Sequence, residues 1–164
     1  MQNTRRSMRG KERGMVVYYR WSISLAALDQ LLTLIVRYTI RPYYKCSIIS
    51  ALYITNIQNP GGGMSIFLMH SMVLILAPIV LTVVTLYMHT QYRGSKAMTC
   101  ALSMVVGGTL SNLADRILFG GVIDYAYLSV LHVYFNLADV LIVSGALAWT
   151  TLFFRERKTL HTRH

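Results

Sequence analysis

The sequence predicts an all-α membrane protein with four transmembrane helices, both termini in the cytoplasm, and a small extracytoplasmic loop or β region between helices 1 and 2. Hydrophobic residues make up 54% of the 164 positions and charged residues only 13%, whereas about a quarter of a soluble domain is charged. Four apolar runs approach the roughly 20 residues that a bilayer core requires. This composition excludes intrinsic disorder, a collagen-like chain and a disulfide scaffold.

The four predicted spans share their length and their low content of charge; they cover residues 21–40, 66–88, 97–113 and 135–154. The first is interrupted by Asp29 and Arg37, and the third is followed at once by Asp115 and Arg116. A cleavable signal peptide would not carry an aspartate in the middle of its apolar region. We therefore expect the first span to be a retained helix.

Lysine and arginine predict the orientation of these spans. Twelve of the 16 basic residues lie on the side of the two termini and four on the opposite side. By the positive-inside rule both termini are cytoplasmic. A transmembrane domain over residues 21–154 is then flanked by basic cytoplasmic tails at 1–20 and 155–164. The net charge of +10 suits a surface of anionic lipid, so membrane lipids rather than nucleic acid are the expected partners.

The aspartates suggest chemistry at the outward face. Four of the six acidic residues lie within or beside the apolar spans: Asp29, Asp115, Asp124 and Asp139. An aspartate inside a bilayer costs about 2.5 to 3.5 kcal/mol on insertion scales, so a function is its default interpretation. The outward loop can fold back and bring Asp124 to Asp139. Two adjacent carboxylates share a proton, and such a pair can activate water and protonate a carbonyl oxygen.

Simpler roles compete with this interpretation. An aspartate at a helix end is commonly an N-cap or the partner of an arginine. Asn136 precedes Asp139 in the same turn and is the better cap, whereas Asp115 could pair with the adjacent Arg116. A proton relay is a further alternative, but the three aspartates after residue 100 all map to one face of the bilayer.

Small residues along the third and fourth spans predict close contact between helices. Gly107, Ser111 and Gly145 would allow neighbouring backbones to approach. Asn112 lies one turn after Gly108, which makes this face of the third span small and polar. An interhelical hydrogen bond and the holding of a catalytic carboxylate are both open roles for this asparagine.

Three motifs resemble those of bacterial lipoprotein signal peptidase, also called signal peptidase II. They read GGTLSNLADR at residues 107–116, GVIDY at 121–125 and FNLAD at 135–139. NPGGGM at residues 59–64 is similar to a loop motif of that family, and DQ at 29–30 to a pair in its first helix. The resemblance covers about residues 20–155.

This resemblance implies an aspartic endopeptidase of the bacterial cytoplasmic (inner) membrane. The family removes signal peptides from diacylglyceryl-modified prolipoproteins, cleaving before the lipidated cysteine, without metal or organic cofactor, and is inhibited by cyclic peptides. Asp124 and Asp139 match the catalytic pair. Supporting or substrate-binding positions would be Asn112, Arg116, Asn136, Asn59, Asp29, Asp115 and Gly108.

Some positions depart from the family pattern. Thr33 stands where lysine is usual, four residues after Asp29, Ser111 where glycine is usual, and Val140 where serine often follows the aspartate. In the loop motif, an alanine pair and an aromatic residue are replaced by Gly62, Gly63 and Met64. These departures leave the aspartate pair intact and bear on rate and substrate range. They also keep a second hypothesis open, in which the chain is a catalytically degenerate relative or a non-enzymatic assembly protein.

Overall fold

The computed structural model describes residues 2–60, 71–91 and 95–161, which form four helices and one four-stranded sheet. The elements follow in the order α1 (Gln2–Thr39), β1 (Lys45–Ile49), β2 (Leu52–Asn59), α2 (Ser71–Gln91), α3 (Lys96–Phe119), β3 (Val122–Leu128), β4 (Val133–Phe135) and α4 (Leu137–His161). The prediction of four helices is confirmed. The departures at Gly62, Gly63 and Met64 lie outside the described residues.

Helix α3 lies at the centre of the bundle, in contact with α1, α2 and α4. Glycines make these contacts close. A Cβ atom at Gly107 would lie 2.9 Å from the carbonyl oxygen of Ser22 in α1, and one at Gly145 of α4 would lie 2.6 Å from that of Ala101 in α3. The predicted close approach of the helices is thus confirmed at these two glycines.

Two described helices are long and apolar enough to cross a membrane: α3, and α4 over Leu137–Glu156. Helix α2 contains a shorter apolar stretch, Ile75–Thr90. By length and composition, two of the described helices could therefore cross a membrane. Residues 66–70 of the predicted second span lie outside the described residues.

Helix α3 extends beyond the predicted end of the third span at residue 113. It ends at Gly120, whose left-handed φ of 76° lets its N–H donate to the carbonyl of Arg116. Glycine reaches this conformation without a steric penalty, which makes it the usual residue after a helix. Asp115 and Arg116 consequently lie in the last turns of α3, with directions set by the helix.

The sheet is antiparallel, in the order β1-β2-β3-β4. The prediction placed β structure only between the first two helices; this was wrong for the outward loop expected between the third and fourth spans, which contains β3 and most of β4. Pairing of β2 with β3 joins the two connections. An isolated hairpin is marginal in water, so each hairpin depends on a partner that is distant in sequence.

One face of the sheet carries a row of tyrosines. Tyr53 pairs with Tyr127, which pairs in turn with Tyr134. The ammonium of Lys45 lies 3.9 Å from the centre of the Tyr127 ring. The pKa of this lysine is raised, chiefly by a hydrogen bond between its side chain and Tyr134. At the opposite end of β3, Ile123 is fully buried against the helices, so this strand connects the exposed sheet to the helical bundle.

Candidate active site

The structure brings Asp124 and Asp139 to the same end of the bundle. Asp124 lies in β3 with only 3% of its surface exposed, and Asp139 lies half-buried in the first turn of α4. Burial, together with the nearby charges of Asp139 and Asp115, raises the pKa of Asp124 to about 6. A carboxyl group with this pKa can hold a proton close to neutral pH.

Asp139 is held by its own helix end. The Asn136 side chain accepts a hydrogen bond from the Asp139 N–H at 2.9 Å, while Oδ2 of Asp139 accepts one from the Asn136 N–H at 3.3 Å. This reciprocal arrangement is a capping box. Asn136 is therefore the N-cap that the sequence predicts. Asp139 contributes its Oδ2 to the capping box, and its Oδ1 has a different partner.

Asn112 of α3 donates a hydrogen bond to this second oxygen of Asp139. Its Nδ2 donates to Oδ1 of Asp139 at 2.9 Å, and its own Oδ1 accepts from Nδ2 of Asn136 at 3.0 Å. Nδ2 of Asn136 also lies 3.4 Å from the carbonyl oxygen of Ile123 in β3. The two asparagines thus connect α3, α4 and β3 around one carboxylate, so Asn112 forms an interhelical hydrogen bond and holds that carboxylate at once.

Gly108 allows α3 to approach this turn. A Cβ atom at Gly108 would overlap the carbonyl oxygen of Ala138, the residue before Asp139. The absence of a side chain therefore lets Asn112, one turn further along α3, reach the Asp139 carboxylate.

Asp124 is held by the sheet. Nδ2 of Asn59 in β2 donates to its Oδ2 at 3.1 Å, which partly offsets the upward shift of the pKa of Asp124. Gly121 makes this approach possible, since a Cβ atom there would lie 2.8 Å from the carbonyl oxygen of Asn59. The family-like motif that begins at Asn59 therefore reaches the candidate site; the part after Pro60 lies outside the described residues.

Asp115 anchors the strand beside Asp124. It is fully buried, and it accepts hydrogen bonds from Nε2 of Gln30 at 2.7 Å and from the Ile123 N–H at 3.0 Å. Among the described residues, this carboxylate is therefore hydrogen-bonded by an amide side chain and a backbone N–H, rather than by the adjacent Arg116 considered from the sequence.

Asp29, in the C-terminal half of α1, is also fully buried. Its carboxylate accepts hydrogen bonds from Ser111 Oγ at 2.6 Å, from the Tyr125 hydroxyl at 2.7 Å and from the Ala138 N–H at 3.1 Å. Thr33 stands one turn away, with an Oγ1 that is buried without a hydrogen-bond partner among the described residues. Hydroxyl and amide donors thus stabilise a carboxylate that lacks a lysine at position 33.

Arg116 lies beside a cavity of about 280 Å³ between α2 and the rest of the bundle. Its Nη1 donates to the carbonyl oxygen of Asn112 at 3.0 Å, and its Nε has no hydrogen-bond partner among the described residues. Apolar residues of α2 and α4, including Pro78, Leu81 and Ile142, complete the wall. The cavity therefore joins an apolar surface to polar groups of the site.

Sequence reasoning missed the role of Tyr125. Its hydroxyl donates to Asp29 and accepts from the N–H of Leu137. Its position next to Asp124 in a motif was the available signal. Within the described residues, no group of three or more histidine, cysteine, aspartate or glutamate side chains is arranged to hold a metal ion.

Apolar helices that hold two buried or half-buried carboxylates at one end of the bundle fit the class of membrane-embedded hydrolases. The Peptidase_A8 family pattern, described as signal peptidase (SPase) II, matches residues 21–155. The chain belongs to this family of peptidases.

Named relatives agree with this assignment, and a solved structure has a similar fold. The chain is 32% identical over 132 residues to the lipoprotein signal peptidase of Halothermothrix orenii, covering 80% of this chain and 90% of the relative. It is 30% identical over 148 residues to the lipoprotein signal peptidase of Listeria monocytogenes serotype 4b, covering 87% and 96%. Its fold is similar to a bacterial membrane enzyme solved by the in meso method at 2.3 Å, with a TM-score of 0.78, 20% identity, and coverage of 87% of this chain and 90% of that chain.

Proposed function

We propose that this protein removes the signal peptides of diacylglyceryl-modified prolipoproteins, cleaving before the lipidated cysteine. The placement of Asp124 in β3 and of Asp139 in the first turn of α4, each within a motif that resembles one of signal peptidase II, carries this proposal. The relatives named lipoprotein signal peptidase support the substrate class. Catalysis needs no metal ion in this scheme, because a carboxyl pair supplies both the base and the acid.

The surroundings of the two aspartates suggest different roles. Asp139 accepts hydrogen bonds from the Asn112 side chain and from the backbone N–H of Asn136, which fix the positions of both of its oxygens. Asp124 is more deeply buried, and its pKa of about 6 favours the proton. In the proposed reaction Asp139 takes a proton from water as this water attacks the scissile carbonyl carbon. Asp124 donates its proton to the carbonyl oxygen, which gives a tetrahedral diol. The C–N bond then breaks as Asp139 passes its proton to the leaving nitrogen and Asp124 takes a proton back from a hydroxyl of the diol, which restores both aspartates.

Arg116 and the cavity beside it are the proposed substrate-binding region. The guanidinium can donate to substrate carbonyl groups through Nε, for which no partner occurs among the described residues. The apolar wall of α2 and α4 suits a hydrophobic signal peptide or an acyl chain. A lipidated substrate can then enter sideways from the bilayer.

The proposal includes four membrane spans in the bacterial inner membrane, with both termini in the cytoplasm. The distribution of 12 basic residues against four supports this orientation. It puts the sheet and the aspartate pair on the outward side, where a lipidated prolipoprotein lies. Helices α1 and α2 supply the two spans beyond α3 and α4.

Cleavage of a purified diacylglyceryl-prolipoprotein by the full chain in lipid bicelles tests the function. Asp124→Asn and Asp139→Asn should each lower the rate by at least about 1000-fold, since each removes one half of the acid–base pair. Glu156→Gln, an exposed acidic residue near the end of α4, is the matched control and should retain the rate. A cyclic-peptide inhibitor of the family should block cleavage.

Two outcomes would contradict the proposal. Substantial cleavage by either aspartate variant would exclude the pair as the catalytic group. An inert wild-type chain, inserted and folded, would favour the alternative of a degenerate relative kept for assembly.

A further inference from the structure

We propose that the hydroxyl groups of Tyr125 and Ser111 are positioning groups for the aspartate pair. By holding Asp29 against the start of α4, they determine where Asp139 lies relative to Asp124. The expected effect on the cleavage rate rests on the proposed function of the pair. The expected effect on the titration of Asp124 can be measured without catalysis.

Asp29 depends on these hydroxyls because α1 offers it no cation. No lysine or arginine occurs in the sequence between Arg20 and Arg37, and Asp29 is fully buried. A buried carboxylate is costly unless hydrogen bonds compensate for lost water. Among the described residues, Ser111 Oγ donates to one of its oxygens at 2.6 Å and the Tyr125 hydroxyl to the other at 2.7 Å.

The same carboxylate caps α4 from outside the helix. The first N–H groups of a helix have no partner within it. Here the Ala138 N–H donates to Oδ1 of Asp29 at 3.1 Å, and the Leu137 N–H donates to the Tyr125 oxygen at 2.9 Å. A negative charge at this position is also favoured by the helix dipole. The first turn of α4, from which Asp139 projects, is thus held by α1 and β3.

Tyr125 connects the two halves of the pair directly. It follows Asp124 in β3, so its backbone moves with that aspartate, while its hydroxyl binds the turn that carries Asp139. Burial and the hydrogen bond to Asp29 raise the pKa of this hydroxyl above its ordinary value, so it remains a donor across the physiological range. Removing it leaves the Leu137 N–H without its partner and deprives Asp29 of one donor.

The test compares Tyr125→Phe and Ser111→Ala with Tyr127→Phe. Tyr127 lies two residues along the same strand, and its hydroxyl contacts His132 at the far end of the sheet, so it is the matched control. The protein carries ¹³C-labelled aspartate and is titrated by NMR in micelles. It contains four aspartates, and Asp124→Asn identifies the signal of Asp124.

Wild type and Tyr127→Phe should show the same pKa for Asp124. In Tyr125→Phe this pKa should fall, because a displaced Asp139 charge raises it less. Ser111→Ala should change it in the same direction. In the cleavage assay, Tyr125→Phe should lower kcat by about tenfold or more and change KM by less than about twofold, since a misplaced reacting group costs rate rather than binding.

An unchanged Asp124 pKa in Tyr125→Phe would overturn the inference, whatever the effect on melting temperature, because a merely stabilising hydroxyl would not alter that titration. A wild-type rate of cleavage in Tyr125→Phe would also overturn it. An inert wild type would contradict the proposed function alone, since the titration of Asp124 still decides the positioning role.

Discussion

Asp124 imposes a cost on folding that its proposed role explains. Burial raises its pKa from 3.8 to about 6, so the folded chain binds this proton more tightly than the unfolded chain. The contribution of Asp124 to stability is therefore greatest below about pH 4, falls as the pH rises through 6, and levels off above that value. At 1.36 kcal/mol for each pH unit, the loss is about 3 kcal/mol at most.

Asp124→Asn should consequently stabilise the protein while abolishing cleavage. Asparagine resembles the protonated aspartate, and it can still accept the hydrogen bond from Asn59. We expect a higher melting temperature than wild type at pH 8 and a similar one at pH 4, measured by thermal unfolding in detergent. A variant less stable than wild type at pH 8 would show that the ionised carboxylate is stabilised in the fold.

The contact of α3 with α4 determines the site at the scale of elements. Gly108 and Gly145 both lie where an added Cβ would overlap a backbone carbonyl of the facing helix, respectively Ala138 and Ala101. The first contact adjoins Asp139, whereas the second lies about two turns further along α4. Both contacts pack the helices, and only the first also places a reacting group.

Gly108→Ala and Gly145→Ala therefore form a matched pair. Both should lower the melting temperature, because a backbone carbonyl cannot move aside as a side chain can. Gly108→Ala should in addition lower the cleavage rate of the folded fraction by about tenfold or more, through displacement of Asp139. Equal rates for the folded fractions of both variants would show that this contact contributes to packing alone.

At the scale of the whole molecule, chemical labelling of introduced cysteines tests the proposed orientation in the membrane. Cys46 and Cys100 are the two natural cysteines, so a chain carrying Cys46→Ser and Cys100→Ser is a clean background. Ser47→Cys in exposed β1 should react with a membrane-impermeant maleimide in intact spheroplasts. Glu156→Cys, near the end of α4, should react only after the membrane is opened. The reverse pattern would put the aspartate pair in the cytosol and contradict the proposed orientation.

Prediction from sequence succeeded where local pattern carries the information. Long apolar runs predicted the helices, and Asn136 before Asp139 predicted the cap of α4, because capping depends on residues in one turn. It failed for β3 and β4, whose stability comes from pairing with β2 across more than 60 residues. It also failed for the end of α3, because the carboxylate of Asp115 is satisfied by partners from α1 and β3.

Composition and short motifs were enough to predict the apolar helical class of this protein, its orientation from the distribution of charge, and the importance of Asp124 and Asp139. These predictions depend only on composition and on the spacing of nearby residues, which are the same in the unfolded and the folded chain. The packed fold was needed to show which donors surround Asp29, what Tyr125 contacts and why the pKa of Asp124 is raised. Those outcomes depend on burial and on hydrogen bonds between distant elements, and such quantities exist only after the chain has packed.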